Sequence, residues 1–198
     1  MTCKDMVAEF HKLNGSVING KNNGPEVAVL RARLIVEEFA ETYAALHEND
    51  VVEAADGLAD LLYVIYGTAV SYGLACPDVC EPPLGRPAEA FDRGDVLRFG
   101  QMTLPRLQRV YMALIFTPYD AGPAVFDLAE EIWMAGTRTW GFPMDKLFAE
   151  VHRSNMTKTF SPTTSGDKYG PINSKGPGYI PPNIGGVLEA CTVITVRP

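Results

Sequence analysis

Apolar residues recur every three or four positions through most of the chain before Ser161, the spacing of helices that bury one face. Met6, Val7, Phe10 and Leu13 predict a first helix over 4–13, which the Asn/Gly cluster from Asn14 to Gly24 breaks. Pro25 stands where a helix can begin, and Val27, Leu30, Leu34, Ile35 and Phe39 carry a second helix to about His47. Glu48-Asn49-Asp50 is a short polar turn. A third helix over 51–72 follows, with a stripe of Val52, Ala55, Leu58, Leu62, Ile65 and Ala69. Pro77, Pro82, Pro83 and Pro87 mark a loop, and further periodic stretches cover 104–116, 121–139 and 144–154. Trp133 and Trp140, on or beside one of them, read as core. From Ser161 onward the final 38 residues hold six Pro and six Gly, ending in a β-branched run at Cys191–Val196 that reads as a strand. The pattern predicts an all-α helical bundle over 1–160 with an extended C-terminal arm over 161–198.

Charge changes this picture more by its distribution than by its total. The 198 residues carry 24 Asp and Glu against 17 Lys and Arg, a net charge of −7. That balance argues against coating a nucleic acid polymer or an anionic membrane. No Lys or Arg occurs between Leu34 and Gly85, yet ten of the 24 carboxylates do. Such a segment needs cations from elsewhere in the chain or from bound metal.

Other classes fall away. The first residues show no apolar run after Lys4, so no secretory signal is expected. The uncharged stretch Leu61–Pro77 is short for a membrane span, contains Gly67, Thr68, Ser71 and Gly73, and lacks basic flanks, so it reads as a buried helix. Cys3, Cys76, Cys80 and Cys191 are too few for a disulfide scaffold, and no second Cys/His pair completes a zinc site with Cys76 and Cys80. A cytoplasmic protein with reduced thiols is the expectation. Gly15-Ser-Val-Ile-Asn-Gly20-Lys21-Asn22 nearly spells a phosphate-binding loop, but Asn22 replaces the hydroxyl residue and no strand precedes it.

The carboxylates form the chemical signal. Glu38 and Glu41 share one helical face with Glu37 beside them, and Glu53, Asp56 and Asp60 form a ridge on the next helix. The short turn makes the helices antiparallel neighbours, so the ridges can face each other. Like charges so placed need compensation, and oxygen-only donors suit Mg²⁺ or Mn²⁺. A solvated acidic face is the plainer alternative, weakened because Asp56 and Asp60 interleave with Leu58, Leu61 and Leu62. A di-iron bundle would need Glu-x-x-His pairs, but Ala8, Ala44 and Ala149 stand three before His11, His47 and His152.

Glu-x-x-Glu followed by Glu-x-x-Asp on consecutive helices resembles the all-α nucleoside triphosphate pyrophosphatases, the MazG-like superfamily, which includes dimeric dUTPases and phosphoribosyl-ATP pyrophosphohydrolase. Asp56-Gly-Leu-Ala-Asp60-Leu-Leu-Tyr-Val-Ile-Tyr-Gly67 resembles its second-helix signature. Val151-His-Arg-Ser-Asn155-Met-Thr-Lys158 and Lys175-Gly-Pro-Gly-Tyr179-Ile-Pro-Pro182 resemble segments of a branch frequent in bacteriophages, including the phage MazZ type that acts on dGTP or GTP. The resemblance implies hydrolysis of a nucleoside triphosphate to monophosphate and pyrophosphate in a homo-oligomer, a dimer or tetramer. It implies Mg²⁺ on Glu38, Glu41, Glu53 and Asp56, with Asp60 the alternative last ligand, and Glu37 and Glu38 as catalytic carboxylates. Arg153, Asn155 and Lys158 become candidate substrate contacts, as do Lys175 and Tyr179 on the arm. A dUTP or dCTP house-cleaning role is the second substrate reading. A non-catalytic acidic binding protein is the alternative from another class.

Overall fold

The computed structural model describes residues 1–76, 82–161 and 172–194. Helix α1 (Cys3–Asn14) starts in a reciprocal cap: Asp5 N–H donates to Thr2 Oγ1 at 3.0 Å, and Thr2 N–H to Asp5 Oδ2 at 3.1 Å. It stops at Gly15, whose φ of 71° is left-handed. Helix α2 (Pro25–Glu48) has Pro25 in its first turn and ends at Asn49, also left-handed at φ 60°. Asp50 then caps α3 (Val51–Tyr72) by accepting from Glu53 N–H at 3.1 Å. Two residues thus reverse the chain and lay α2 antiparallel against α3, the most extensive helix contact of the molecule.

Helix α3 is the centre of the fold. From Leu58 to Tyr72 every residue is buried except Asp60 and Val64, which are partly exposed. Helices α1, α2, α5 (Gly122–Met134) and α6 (Met144–Asn155) pack around it. Helix α4 (Arg93–Phe116) lies across α2 and α5. No helix among the described residues is long and apolar enough to cross a membrane. The fold is all-α, with one short antiparallel ladder, β1 (Thr159–Ser161) on β2 (Ile172–Ser174), in which Phe160 faces Asn173.

Four sequence expectations need correction. Helix α4 starts eleven residues before the predicted 104, because the Asp92 carboxylate caps Gly94 N–H at 2.7 Å and Val96, Phe99 and Thr103 bury a face that Gly94 and Gly100 obscure in the sequence. The single helix expected over 121–139 changes at Ala135 into a π-helical turn reaching Thr139, closed by Trp140. Val52 is exposed rather than part of the α3 stripe. The strand expected at Cys191–Val196 is instead helix α7 (Ile184–Ile194), with 195–198 outside the described residues. Ile184 and Leu188 are buried one turn apart, and α7 packs on α6 and α3, so tertiary burial overrides the β-branched run. Trp133 and Trp140 are buried, as expected.

Candidate active site

The acidic ridges meet between α2 and α3. Thr42 sits against Gly57, where an added Cβ would lie 2.7 Å from Thr42 Oγ1 and 3.1 Å from its Cα. That close approach brings the helices together beside Glu38, Glu41, Asp56 and Asp60. Glu38 is half-buried, and its carboxyl is pushed up to about 7, first by burial, then by Glu41, with Asp56 and Glu37 adding to the effect. Asp56 is raised to about 7 by burial, Asp60 and Glu53. Asp60 is raised to about 7 by burial, then by Glu38 of the facing helix and by Glu41. Each of Glu38, Glu41, Glu53, Asp56 and Asp60 therefore acts on the same acidic field.

Two late-chain lysines oppose it. Lys158 lowers all three perturbed carboxyls, and Lys175 lowers Asp56 and Asp60. Lys158 follows the end of α6. Lys175 follows β2, with its ammonium 5.3 Å from the Tyr179 ring centroid. The cations missing from 34–85 thus arrive in part from beyond residue 150.

Arg153 and Tyr179, which sequence reading assigned to substrate, are among the groups that tie the arm to α6. Arg153 binds both carboxylate oxygens of Glu150, at 2.9 and 2.8 Å, and donates to the Pro181 carbonyl at 2.9 Å. Ser154 Oγ donates to the Ile180 carbonyl at 2.9 Å and lies 3.3 Å from Tyr179 Oη. Ile180 N–H donates to Thr157 Oγ1 at 2.9 Å, and Asn183 N–H to Glu150 Oε1 at 2.7 Å. Asn155 is buried and hydrogen-bonds Tyr63. Glu37 is exposed and pairs with Arg33 at 3.3 Å.

Sequence reading missed Tyr63 and His152. Tyr63, three residues after Asp60, lies 3.0 Å through its hydroxyl from His152 Nδ1, and Glu9 Oε2 of α1 lies 3.5 Å from His152 Nε2. Tyr63 spacing on the acidic helix was the available signal; its partners come from remote helices.

The donor set fits a hard cation. Asp56 Oδ1 is buried without a hydrogen-bond partner, and the surrounding donors are carboxylate oxygens. As the side chains stand, no group of three His, Cys, Asp or Glu among the described residues closes around a common point. Cys80, half of the weak zinc pair, lies outside the described residues, while Cys76 is buried. The loop at 15–22 is no phosphate cradle: Asn19 and Gly20 donate their N–H groups to the carbonyls of Val70 and Ser71, at 2.8 and 3.0 Å.

Comparison with known proteins bears on this helix pair. The chain is similar to uncharacterized protein L479 of Acanthamoeba polyphaga mimivirus, 26% identical over 178 residues, covering 77% of this chain and 69% of that protein. No solved structure matches. Residues 7–82 match the family described as phosphoribosyl-ATP pyrophosphohydrolase, a span that holds most of α1, all of α2 and α3 and every acidic residue of the site, and the match points to a nucleotide pyrophosphohydrolase type of chemistry.

Proposed function

We propose that the protein hydrolyses a nucleoside or deoxynucleoside triphosphate to the monophosphate and pyrophosphate with Mg²⁺, Mn²⁺ being a possible substitute. The observation that carries the reading is Glu38, Asp56 and Asp60 crowded between α2 and α3, within the segment that resembles a pyrophosphohydrolase. Glu38, Glu41, Glu53, Asp56 and Asp60 would hold the metal, which when bound neutralises phosphate charge and acidifies water. Beside the metal-holding Glu38, Glu37 would position or deprotonate the attacking water. Lys158 and Lys175 would meet phosphate oxygens. Asn155 acts through Tyr63, and Arg153 through the arm, so both position rather than touch the nucleotide; Tyr179 braces Lys175.

dGTP or GTP, as in the phage MazZ type, is the preferred substrate reading, and dUTP or dCTP the second. The active form is a homo-oligomer, a dimer or tetramer, in the cytoplasm. Leu97, Leu104, Tyr111, Met112, Ile115 and Phe116 stand exposed on α4, while Arg106 and Arg109 fold back onto Asp127 of α5. That leaves an apolar row on a helix about 36 Å long, suited to a second copy of the same helix.

The test is pyrophosphate release from a panel of nucleotides with Mg²⁺. Turnover should stop with EDTA and fall at least a hundredfold in Glu38→Gln without loss of fold. Labelled oxygen from water should appear in the monophosphate if attack is at the α phosphorus. No turnover on any nucleotide, with no melting shift from divalent ions, would leave the non-catalytic acidic binding protein.

A further inference from the structure

His152 of α6 is a buried imidazole with a carboxylate at one end and a buried hydroxyl at the other. Glu9 Oε2 of α1 lies 3.5 Å from Nε2, and Tyr63 Oη of α3 lies 3.0 Å from Nδ1. Glu9 itself is 53% exposed, so the contact joins the surface of α1 to the interior. Burial pushes the imidazole below its ordinary range, so it is neutral at pH 7 and carries a single N–H.

The partners fix where that proton sits. An ionised carboxylate only accepts, so Nε2 carries the proton toward Glu9 and Nδ1 is left to accept from Tyr63. Tyr63 Oη accepts in turn from the Asn155 side chain, three residues after His152. The donors therefore all point one way: Asn155 to Tyr63, Tyr63 to His152, His152 to Glu9. Glu9 is the terminal acceptor that gives the chain its direction. Without it the proton can move to Nδ1. His152 and Asn155 then both donate to Tyr63, whose own O–H is left buried without an acceptor in the chain, a costly arrangement.

What hangs on this direction is the end of α6. The Tyr63 ring is held by Phe10 of α1, edge-on at 5.7 Å, and by Phe148 of α6 at 5.4 Å. From that fixed place Tyr63 grips α6 at His152 and Asn155. Lys158 follows three residues later, its N–H donating to the Asn155 carbonyl at 3.1 Å. Lys158 is the ammonium that opposes Glu38, Asp56 and Asp60 together.

We propose that Glu9 is a positioning residue for the reaction: by fixing the His152 tautomer it keeps the Tyr63 grip on α6 and so holds the turn that presents Lys158 to the carboxylates and to phosphate. The inference rests on the hydrolase reading above.

The test compares wild type, Glu9→Ala and Glu9→Gln, each with and without Lys158→Ala, on the nucleotide that wild type hydrolyses best with Mg²⁺. Nitrogen-15 NMR of the imidazoles should show His152 as the Nε2–H tautomer in wild type and in Glu9→Gln, whose amide oxygen still accepts. Glu9→Ala should shift it toward Nδ1–H. Glu9→Ala should also lower kcat/KM about tenfold, the worth of one charge-assisted hydrogen bond, while Tm moves little because the carboxylate is exposed. Glu9→Gln should recover kcat/KM to within about threefold of wild type, and on the Lys158→Ala background Glu9→Ala should cost less than about threefold. An unchanged tautomer, a Glu9→Ala variant as active as wild type, a Gln variant as slow as Ala, or the full loss on the Lys158→Ala background would overturn the proposal. If wild type hydrolyses no nucleotide, the hydrolase reading fails by itself. Calorimetric binding of inorganic pyrophosphate with Mg²⁺ then replaces turnover, as it does if Lys158→Ala is too slow to read. Binding weakened in Glu9→Ala, recovered in Glu9→Gln and indifferent to Glu9 on the Lys158→Ala background sustains the role of Glu9, and any other pattern ends it.

Discussion

The hydroxyl of Tyr63 lies 3.0 Å from Nδ1 of His152, joining the turn of α3 after Asp60 to the last turn of α6, just before Lys158. Both groups are buried; burial pushes the phenol up and the imidazole down, so both are neutral around pH 7. The pair sets the distance between the acidic helix and the segment that carries its counter-charge. Tyr63→Phe should cost about 1 kcal/mol of stability, typical of one hydrogen bond, in urea unfolding. Turnover should fall further than that loss explains, with kcat more affected than KM.

The perturbed carboxyls make a signed pH prediction for the metal-free protein. Glu38, Asp56 and Asp60 titrate near 7 when folded, against ordinary values near 4 when unfolded. Between those values the folded state holds more protons, so stability falls as pH rises and levels off above about 7. Melting in EDTA should therefore be several degrees higher at pH 5 than at pH 8. Added Mg²⁺ should raise Tm more at pH 8, where the carboxylates are ionised.

Asp60→Asn separates stability from function. Removing one buried carboxyl from the cluster should stabilise the metal-free protein at pH 8, while the Tm gain from Mg²⁺ shrinks and turnover drops at least a hundredfold. Parallel melting curves and pyrophosphate assays check both halves.

Releasing the arm should disable the site from a distance. Arg153→Ala removes the ties to Glu150 and the Pro181 carbonyl. Loosening the segment that carries Lys175 should raise KM for the nucleotide by about tenfold while shifting Tm little, since Arg153 is largely exposed. Proteolysis should cut near residue 180 faster in the variant.

The exposed row on α4 predicts an oligomer that charge can break. Tyr111→Glu together with Ile115→Glu should convert the assembly to smaller species in light scattering coupled to gel filtration. An interface of standard size buries about 800 Å² on each partner, a demand this helix can meet for a large part. Unchanged mass in the double variant would move the interface elsewhere.

Much of the fold is legible from local spacing. Helices α1 to α3 end where Gly15, Asn49 and Gly73 adopt left-handed backbones, and the turn at Asn49-Asp50 alone sets the acidic ridges face to face. The early start of α4 and helix α7 were not legible, because glycines and a β-branched run hide faces that only their packing partners reveal. The resemblance carried Lys158 and Lys175 toward the site, but spacing could not say which late-chain bases reach it.

The sequence by itself determined the acidic helix pair, since residues three and four apart share a helical face whatever surrounds them. Tertiary structure alone decided that Lys158 and Lys175 oppose those carboxylates while Arg153 ties the arm. It also decided that Tyr63 meets His152, 89 residues away. The reason is physical: burial and long-range electrostatics depend on which helices pack together, and no local period encodes that choice.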